Sequence, residues 1–403
     1  MKSGRDEARF YTGRGVGELD LETIASALTG LGQVRLRAEK CIRTLSPWAT
    51  CQRCLEVCPV DGIELQNGRP GLKECRRCGL CAVACPTGAL EDPEHTHAFI
   101  LARGQEIIAA TGQVIFSCAR GEDERLPQGL FVVPCLGAVA PEIMVALAAR
   151  GQTGFRYRPE DCAACPWGEK GQELFKNSFS WAQRTLATLE LPHDRLVQGA
   201  NLNPATAPKR PVSQASHAAT AAMGRREFFR SLVRGIKVPG VKVATPAPGP
   251  GTKQAVFPGE RMSILREALQ QVRPETGYPA RARLPLASLE LAGPCYLCNI
   301  CSRLCPAGAL DLAEGKLRFT PARCNHCGLC LAVCPQHSLT WGENLAIETV
   351  ASKVTFNLAT AGEHLCANCG ETFQASAGAT ECLRCYLNRK LAGPGQKPAG
   401  ENC

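Results

Sequence analysis

Cysteine side chains at fixed spacings dominate the chemistry available to this sequence of 403 residues. Two runs in its C-terminal part each follow the pattern C-x2-C-x2-C-x3-C-P, beginning at Cys295 and at Cys324. Three closely spaced thiolates can hold one iron–sulfur cubane from a tight loop, while the thiolate before the proline points away. Zinc sites use paired C-x2-C units instead. The spacing therefore favours [4Fe–4S] clusters over zinc or disulfides.

The two runs resemble the two-cluster bacterial-type ferredoxins, in which the fourth cysteine of each run ligates the neighbouring cluster. We therefore expect a 2[4Fe–4S] ferredoxin-like module over residues 293–345. One predicted ligand set is Cys295, Cys298, Cys301 and Cys334, and the other is Cys324, Cys327, Cys330 and Cys305.

A second module of the same type is predicted over residues 41–103, although its first run is irregular. Trp48 stands where the pattern requires a cysteine, and Cys41 is the natural substitute on a longer loop. The predicted sets are Cys41, Cys51, Cys54 and Cys85 for one cluster, and Cys75, Cys78, Cys81 and Cys58 for the other. A [3Fe–4S] cluster held by three thiolates is the alternative for the irregular run.

Residues 104–198 alternate apolar strands and helices, which predicts a small α/β domain with a parallel sheet. Strands are indicated at 114–116, 130–133 and 155–157, and helices over 141–150 and about 172–190. Ligand groups of such folds lie at the carboxyl ends of the strands. The candidates are Cys118, Cys135, Cys162 and Cys165.

The run from Val133 to Glu142 resembles the delta, iron–sulfur subunit of the methyl-viologen-reducing hydrogenase and heterodisulfide reductase systems. That resemblance implies a [2Fe–2S] cluster and electron passage between a hydrogenase or formate dehydrogenase and a flavin-containing reductase. The sequence departs from the family at two points, because Gly121 replaces the second cysteine of the first pair and Cys162-x2-Cys165 is unusually tight. A [2Fe–2S] cluster, a zinc ion and a domain without cofactor that docks a partner all stay open.

The net charge of +9 belongs to one segment, the predicted linker 199–292, which contains 14 Lys/Arg and 5 Asp/Glu. Its 11 prolines favour extended chain with short helices, one of them over 261–273. The segment is either a basic arm for an acidic partner or a solvated linker. Residues 223–230 resemble a twin-arginine signal, but lack its N-terminal position and long apolar stretch. An aromatic content of 5% argues against a nucleic-acid partner.

Residues 346–403 combine short strands with two cysteine knuckles, and we predict a zinc-ribbon-like tail. The candidate zinc ligands are Cys366, Cys369, Cys382 and Cys385. A rubredoxin-type iron site or a further iron–sulfur site is the alternative.

The whole chain is therefore expected to be an α+β multidomain protein that begins with a helical extension over 1–40. Its 25 cysteines, without an N-terminal apolar segment or an apolar run of about 18 residues, predict a reducing cytoplasmic location and no membrane span. The sequence contains no phosphate-binding or dinucleotide-binding glycine loop and no nucleophile elbow.

Four [4Fe–4S] clusters, a candidate [2Fe–2S] cluster and one zinc together predict a non-catalytic electron-transfer subunit of an anaerobic oxidoreductase complex. By resemblance, it would link a hydrogenase or formate dehydrogenase to a heterodisulfide-reductase-like or other flavoprotein reductase. The alternative is a redox-sensing or assembly adaptor that recruits oxidoreductases through the delta-like domain and the zinc ribbon.

Overall fold

The computed structural model describes residues 34–118, 129–200, 202 and 259–392. The predicted helix of the N-terminal extension, the twin-arginine-like segment and most of the basic linker lie outside the described residues. The helices and strands of the described chain form two cysteine-rich modules, a parallel-sheet domain and a cysteine-containing tail.

The first cysteine-rich module is built from very short elements around its thiols. Its helices are α1 (Ile42–Leu45), α2 (Arg53–Val57) and α3 (Leu80–Ala84). Its strands are β1 (Arg35–Leu36), β2 (Ile63–Gln66), β3 (Arg69–Leu72) and β4 (Leu90–Glu91). The strands form two antiparallel pairs, β1 with β4 and β2 with β3. Helix α3 begins after Gly79, whose φ of 76° favours glycine, and ends at Ala84, because Pro86 favours an extended conformation at Cys85.

A four-stranded parallel sheet comes next in the chain, flanked by helices. Its strands are β5 (Gln113–Cys118), β6 (Leu130–Val133), β7 (Gln152–Arg156) and β8 (Leu196–Gly199), in the spatial order β6-β5-β7-β8. All neighbouring pairs are parallel. The helices are α4 (His97–Thr111), α5 (Pro141–Ala148), α6 (Pro159–Ala163) and α7 (Gly168–Thr188). Every residue of α5 is buried, so this helix lies at the centre of the largest hydrophobic core.

The end of the predicted linker belongs to the folded protein: the helix predicted over 261–273 is present, whereas the strand that follows it was not predicted. Residues 260–271 form helix α8 (Glu260–Gln271), and residues 283–291 form strand β9 (Arg283–Leu291). Helix α8 buries Ile264, Leu265 and Leu269 in the same core as α5. The apolar face of this helix is therefore covered by the protein itself.

The second cysteine-rich module repeats the plan of the first. Its elements are α9 (Ile300–Leu304), β10 (Leu310–Ala313), β11 (Lys316–Phe319), α10 (Leu329–Val333) and β12 (Leu339–Ala346). Strand β9 pairs with β12 in an antiparallel arrangement, so part of the predicted linker completes this module.

Helix α11 (Ile347–Ala351) packs into the central core, and strand β13 (Phe356–Thr360) adds to β11. The predicted tail therefore begins later than residue 346. It comprises the hairpin of β14 (Gly362–Leu365) and β15 (Thr372–Ala375), followed by α12 (Leu383–Ala392). Among the described residues, no helix is long and apolar enough to cross a membrane.

Candidate iron–sulfur and metal sites

The irregular run of the first module gathers four thiols. Burial, together with the neighbouring thiolates of Cys85, Cys51 and Cys41, raises the pKa of Cys54 to about 12. Burial also raises the pKa of Cys41, although the backbone N–H groups of Arg43 and Thr44 act in the opposite direction. Cys41, ten residues before Cys51, therefore lies beside the other thiols of its predicted set.

The long loop between those two cysteines has its own structure. Cys41 directly precedes helix α1, and the Arg43 Nε donates a hydrogen bond to the backbone carbonyl of Cys51. Trp48, at the position where a regular run would have cysteine, is 67% exposed. The loop thus places Cys41, at the start of α1, beside Cys51, Cys54 and Cys85, and it leaves Trp48 on the surface.

The second set of the first module is assembled around Cys81. Burial and the thiolates of Cys78, Cys75 and Cys58 raise the pKa of Cys81 well above its usual range. The pKa of Cys78 is raised to about 11, again mainly by burial. Cys54 also acts on Cys81, so the two thiol sets of this module are neighbours.

The second module shows the same arrangement. Burial and the thiolates of Cys295, Cys298 and Cys334 raise the pKa of Cys301 to about 12. The pKa of Cys324 is likewise raised to about 12, by burial with contributions from the thiolates of Cys327 and Cys305.

Cys330 connects the two sets of that module. Burial and the thiolates of Cys324, Cys327 and Cys305 raise its pKa, and so does Cys301 of the neighbouring set. The pKa of Cys327 is raised to about 11 mainly by burial.

The raised pKa values describe these four groups of thiols without a bound metal. Several thiolates packed together in a buried pocket repel one another, and burial penalises each negative charge. Bound iron removes this penalty, since metal coordination deprotonates the thiols and neutralises the set. Each of the four groups brings four thiols together, which is the number of ligands that one [4Fe–4S] cluster requires.

Backbone N–H groups point at sulfur in three of these loops. Arg77, Leu297 and His326 each have a φ of about 50° and lie two residues after a cysteine of a regular run. Each donates its N–H to the sulfur of that cysteine at 3.4 Å. Such hydrogen bonds to thiolates tune the reduction potential of a bound cluster. The positive φ of these three residues could not be predicted from the spacing of the cysteines, because it arises from the tight loop that the folded chain forms.

The parallel-sheet domain brings another four cysteines around one cavity. Cys118 ends β5, Cys135 follows β6, and Cys162 and Cys165 lie in and just after α6. Burial raises the pKa of Cys135 to about 12, with smaller contributions from Cys78, Cys118 and Cys162. Burial and the thiolates of Cys118 and Cys165 also raise the pKa of Cys162.

Helix α7 begins at this cavity and approaches it closely. A Cβ added at Gly171 would lie 2.8 Å from the sulfur of Cys135, so this position has no room for a side chain. Gly168, Trp167 and Phe175 line the same cavity. The N-terminus of a helix stabilises negative charge, which suits an anionic iron–sulfur site. Four thiols, a helix N-terminus and a close glycine together fit a cluster.

The five groups of thiols are connected in sequence through the protein. Cys135 of the sheet domain lies near enough to Cys78 of the first module for their charges to interact. Within that module, Cys81 interacts in the same way with Cys54 of the other thiol group. Cys51 and Cys327 then pack against one shared hydrophobic cluster formed by Ile42, Ala49, Leu329 and Val333. The Arg53 Nη2 donates a hydrogen bond to the carbonyl of His326 at 3.1 Å across this junction. Cys330 and Cys301 continue the line to the last group.

The tail brings its four cysteines close enough to hold one metal ion. The sulfur atoms of Cys366, Cys369, Cys382 and Cys385 all lie within 4.8 Å of one another. Burial raises the pKa of Cys366, but the N–H groups of Cys382, Cys369 and Asn368 outweigh it and lower the pKa to about 7. A thiol with such a pKa is about half ionised at pH 7, and the thiolate is the form that binds zinc or iron.

The tail also contacts the last iron–sulfur loop directly. The N–H of Cys295 donates to the Ser376 Oγ at 2.7 Å, and the Ser376 N–H donates to the Cys295 carbonyl at 2.8 Å. Tyr296 is buried against Phe373 and Tyr386 of the tail. The tail therefore holds the loop that contains Cys295.

A long-range ion pair beside the first module is not indicated by any local sequence motif. Arg261 of α8 forms a two-pronged ion pair with Glu142 of α5, with both nitrogen–oxygen distances at 2.9 Å. The same guanidinium donates to the carbonyl of Val83 in α3, between two cysteines of the first module. The charge of Arg261 also interacts with Cys85. The two paired residues are 119 positions apart, so only the folded chain brings them together.

Comparison with known proteins defines the class of both modules. Residues 294–338 match the 4Fe–4S dicluster domain family, and residues 72–91 match the 4Fe–4S binding domain family. The chain thus contains two ferredoxin-type 4Fe–4S domains, as predicted.

Two similar proteins are uncharacterized ferredoxins of Methanocaldococcus jannaschii. One is 47% identical over 55 residues, which are 13% of this chain and 33% of that ferredoxin. The other is 51% identical over 39 residues, which are 9% of this chain and 26% of that ferredoxin. The chain therefore spans about a third or less of the length of these relatives. No solved structure matches the chain.

Proposed function

We propose that the chain is a multi-cluster electron-transfer subunit that links two oxidoreductases. The observation that carries this proposal is the line of five thiol groups, from Cys135 at one end to Cys301 at the other. Iron–sulfur clusters exchange single electrons when bound. A continuous line of such sites is the arrangement that electron transfer between two separate partners requires.

The proposed cofactors are four [4Fe–4S] clusters, one [2Fe–2S] cluster and one zinc. The cubanes are assigned to the two ferredoxin-type domains, the [2Fe–2S] cluster to Cys118, Cys135, Cys162 and Cys165, and the zinc to Cys366, Cys369, Cys382 and Cys385. For the sheet domain, the helix N-terminus and the thiol-lined cavity favour an anionic cluster over a domain without cofactor.

The proposed partners come from the resemblance to the hydrogenase delta subunit. They are a hydrogenase or formate dehydrogenase at the sheet domain and a flavin-containing reductase. The sheet domain supports this order, because its thiol group lies at one end of the line. We propose a reducing, cytoplasmic environment on the basis of the many free thiols.

Metal analysis and redox titration of the full chain, produced and purified without oxygen, test the proposal. We expect about 18 irons, about 18 acid-labile sulfides and about one zinc per chain. Electron paramagnetic resonance during a potentiometric titration should show one-electron signals that appear and disappear reversibly. Clusters that are lost on oxidation and do not return would contradict an electron-transfer role and favour the redox-sensing adaptor.

A further inference from the structure

A wide groove on the second ferredoxin-type domain carries an excess of positive charge. The groove has a volume of about 790 Å³ and lies between α9, β10, β11 and the segment before β13. Its cationic side chains are Arg303, Arg318, Arg323 and Lys353, and the carboxylate of Asp311 also lines it. We call this surface the basic groove.

Three of these cations have no opposite charge beside them in the described part of the chain. Arg318 pairs with Glu314 at 2.9 Å. For Arg303, Arg323 and Lys353, which are exposed, no carboxylate among the described residues lies within ion-pair distance. Charges left unpaired on a surface raise the local positive potential and attract an acidic partner. This charge belongs to the folded domain and is separate from that of the basic linker.

The basic groove also reaches a predicted iron–sulfur ligand. Cys305 lines it, and this thiol belongs to the group formed with Cys324, Cys327 and Cys330. A molecule seated in the groove would therefore lie directly beside that site. Val354 and Phe356, which flank the lining residue Thr355, are 39% and 38% exposed and add apolar surface next to the charges. Aromatic and basic residues together are typical of protein interfaces.

We infer that the basic groove is the docking site for an acidic electron-carrier protein of the ferredoxin type. This inference rests on the proposed electron-transfer function. An acidic protein surface fits better than a small anion, because the cations are distributed over several elements along an open groove. Helix α9 has only five residues, so it offers no anion site at its N-terminus.

The test is a binding measurement with both proteins oxidised, so that affinity is measured without electron transfer. The probe is a purified acidic plant-type ferredoxin, titrated calorimetrically into the full chain at low and high salt. The test variant is Arg323→Gln combined with Lys353→Glu. The control variant, Arg69→Gln with Arg281→Glu, changes the net charge equally at exposed positions outside the groove.

We expect the groove variant to weaken binding about tenfold at low salt, while the control stays close to the unmodified chain. The difference should disappear at about 1 M salt, because surface charges are then screened. Equal weakening in both variants would overturn the inference, since it would show only general attraction to a basic protein. No binding of the ferredoxin, or binding of flavin mononucleotide that depends on Lys353, would also overturn it.

Failure of this inference is distinguishable from failure of the proposed function. Methyl viologen, a small non-protein reductant, should reduce all clusters of the chain whatever the state of the groove. If the clusters respond to viologen and the groove variant binds ferredoxin normally, only the docking site is wrong. Iron and sulfide contents of all variants should match, which excludes damage to the site at Cys305.

Discussion

Arg261→Met should destabilise the whole protein, because it leaves a buried carboxylate without its partner. The side chain of Glu142 is 8% exposed, and Arg261, at 23%, supplies both of the hydrogen bonds between their charged groups. Burial raises the pKa of Glu142, but the charge and hydrogen bonds of Arg261 outweigh it, so Glu142 is held ionised. Breaking a buried ion pair of this kind costs about 3–5 kcal/mol in the free energy of unfolding.

The measurement is pulse proteolysis in urea on the full chain with its clusters, under nitrogen. A matched control is Arg273→Met, whose partner Glu348 lies on the surface, with side-chain exposures of 44% and 33%. This change should cost only about 0–1 kcal/mol. A cost for Arg261→Met no larger than that of the control would refute the reasoning.

The double variant Arg261→Met with Glu142→Gln separates the ion pair from the packing of the two side chains. Removing both charges should cost about 2 kcal/mol less than the sum of the two single changes, since no isolated charge is left behind. Additive costs would mean that the contact of α8 with α5, and not the ion pair, provides the stability.

Three further changes have defined outcomes. Gly171→Ala should lower the iron content by about two atoms per chain, because the added Cβ would lie 2.8 Å from the sulfur of Cys135. The control Gly199→Ala, whose Cβ would have its nearest contact at 3.6 Å, should keep that iron. Equal iron content in the two variants would contradict a cluster at this site. Burial, reinforced by the positive charge of Arg261, lowers the pKa of His97 to about 4. The neutral imidazole therefore contributes to stability above pH 6.5, the pKa in the unfolded chain, and this contribution is lost as the pH falls towards 4. The free energy of unfolding in urea should thus fall by about 0.8 kcal/mol between pH 8 and pH 6 in the unmodified protein, but not in His97→Gln. An identical fall in His97→Gln would show that His97 does not cause it. Cys369→Ser should remove about one zinc per chain by mass spectrometry while iron is retained, and unchanged zinc would place the metal elsewhere.

Local spacing predicted the class of the two cysteine-rich modules, because a run of thiols before proline leaves the chain few ways to fold. The replacement of a missing cysteine by Cys41 also follows from spacing, and the structure places Cys41 beside Cys51, Cys54 and Cys85. The iron ligand sets themselves stay a prediction. So do the [2Fe–2S] cluster, the zinc and the partner enzymes.

Contacts between distant parts of the chain could not be read in this way. The helix at 260–271 was predicted from its apolar face, but a proline-rich, basic neighbourhood suggested a linker. Nothing in the local sequence says that α5 covers that face, or that Arg261 meets Glu142. Periodicity reports which side of a helix is apolar and not which surface it meets.

The long-range contact of Arg261 also bears on how the protein is made. Its partner carbonyl, at Val83, lies 178 residues earlier in the chain. At a synthesis rate of about 5–20 residues per second, the first ferredoxin-type domain leaves the ribosome roughly 10–40 s before Arg261 can contact it. During this interval the Val83 carbonyl and the Cys85 thiol lack the guanidinium that lies beside them in the finished protein. We therefore expect the contact between Arg261 and Val83 to form after the chain of the first domain has been synthesised.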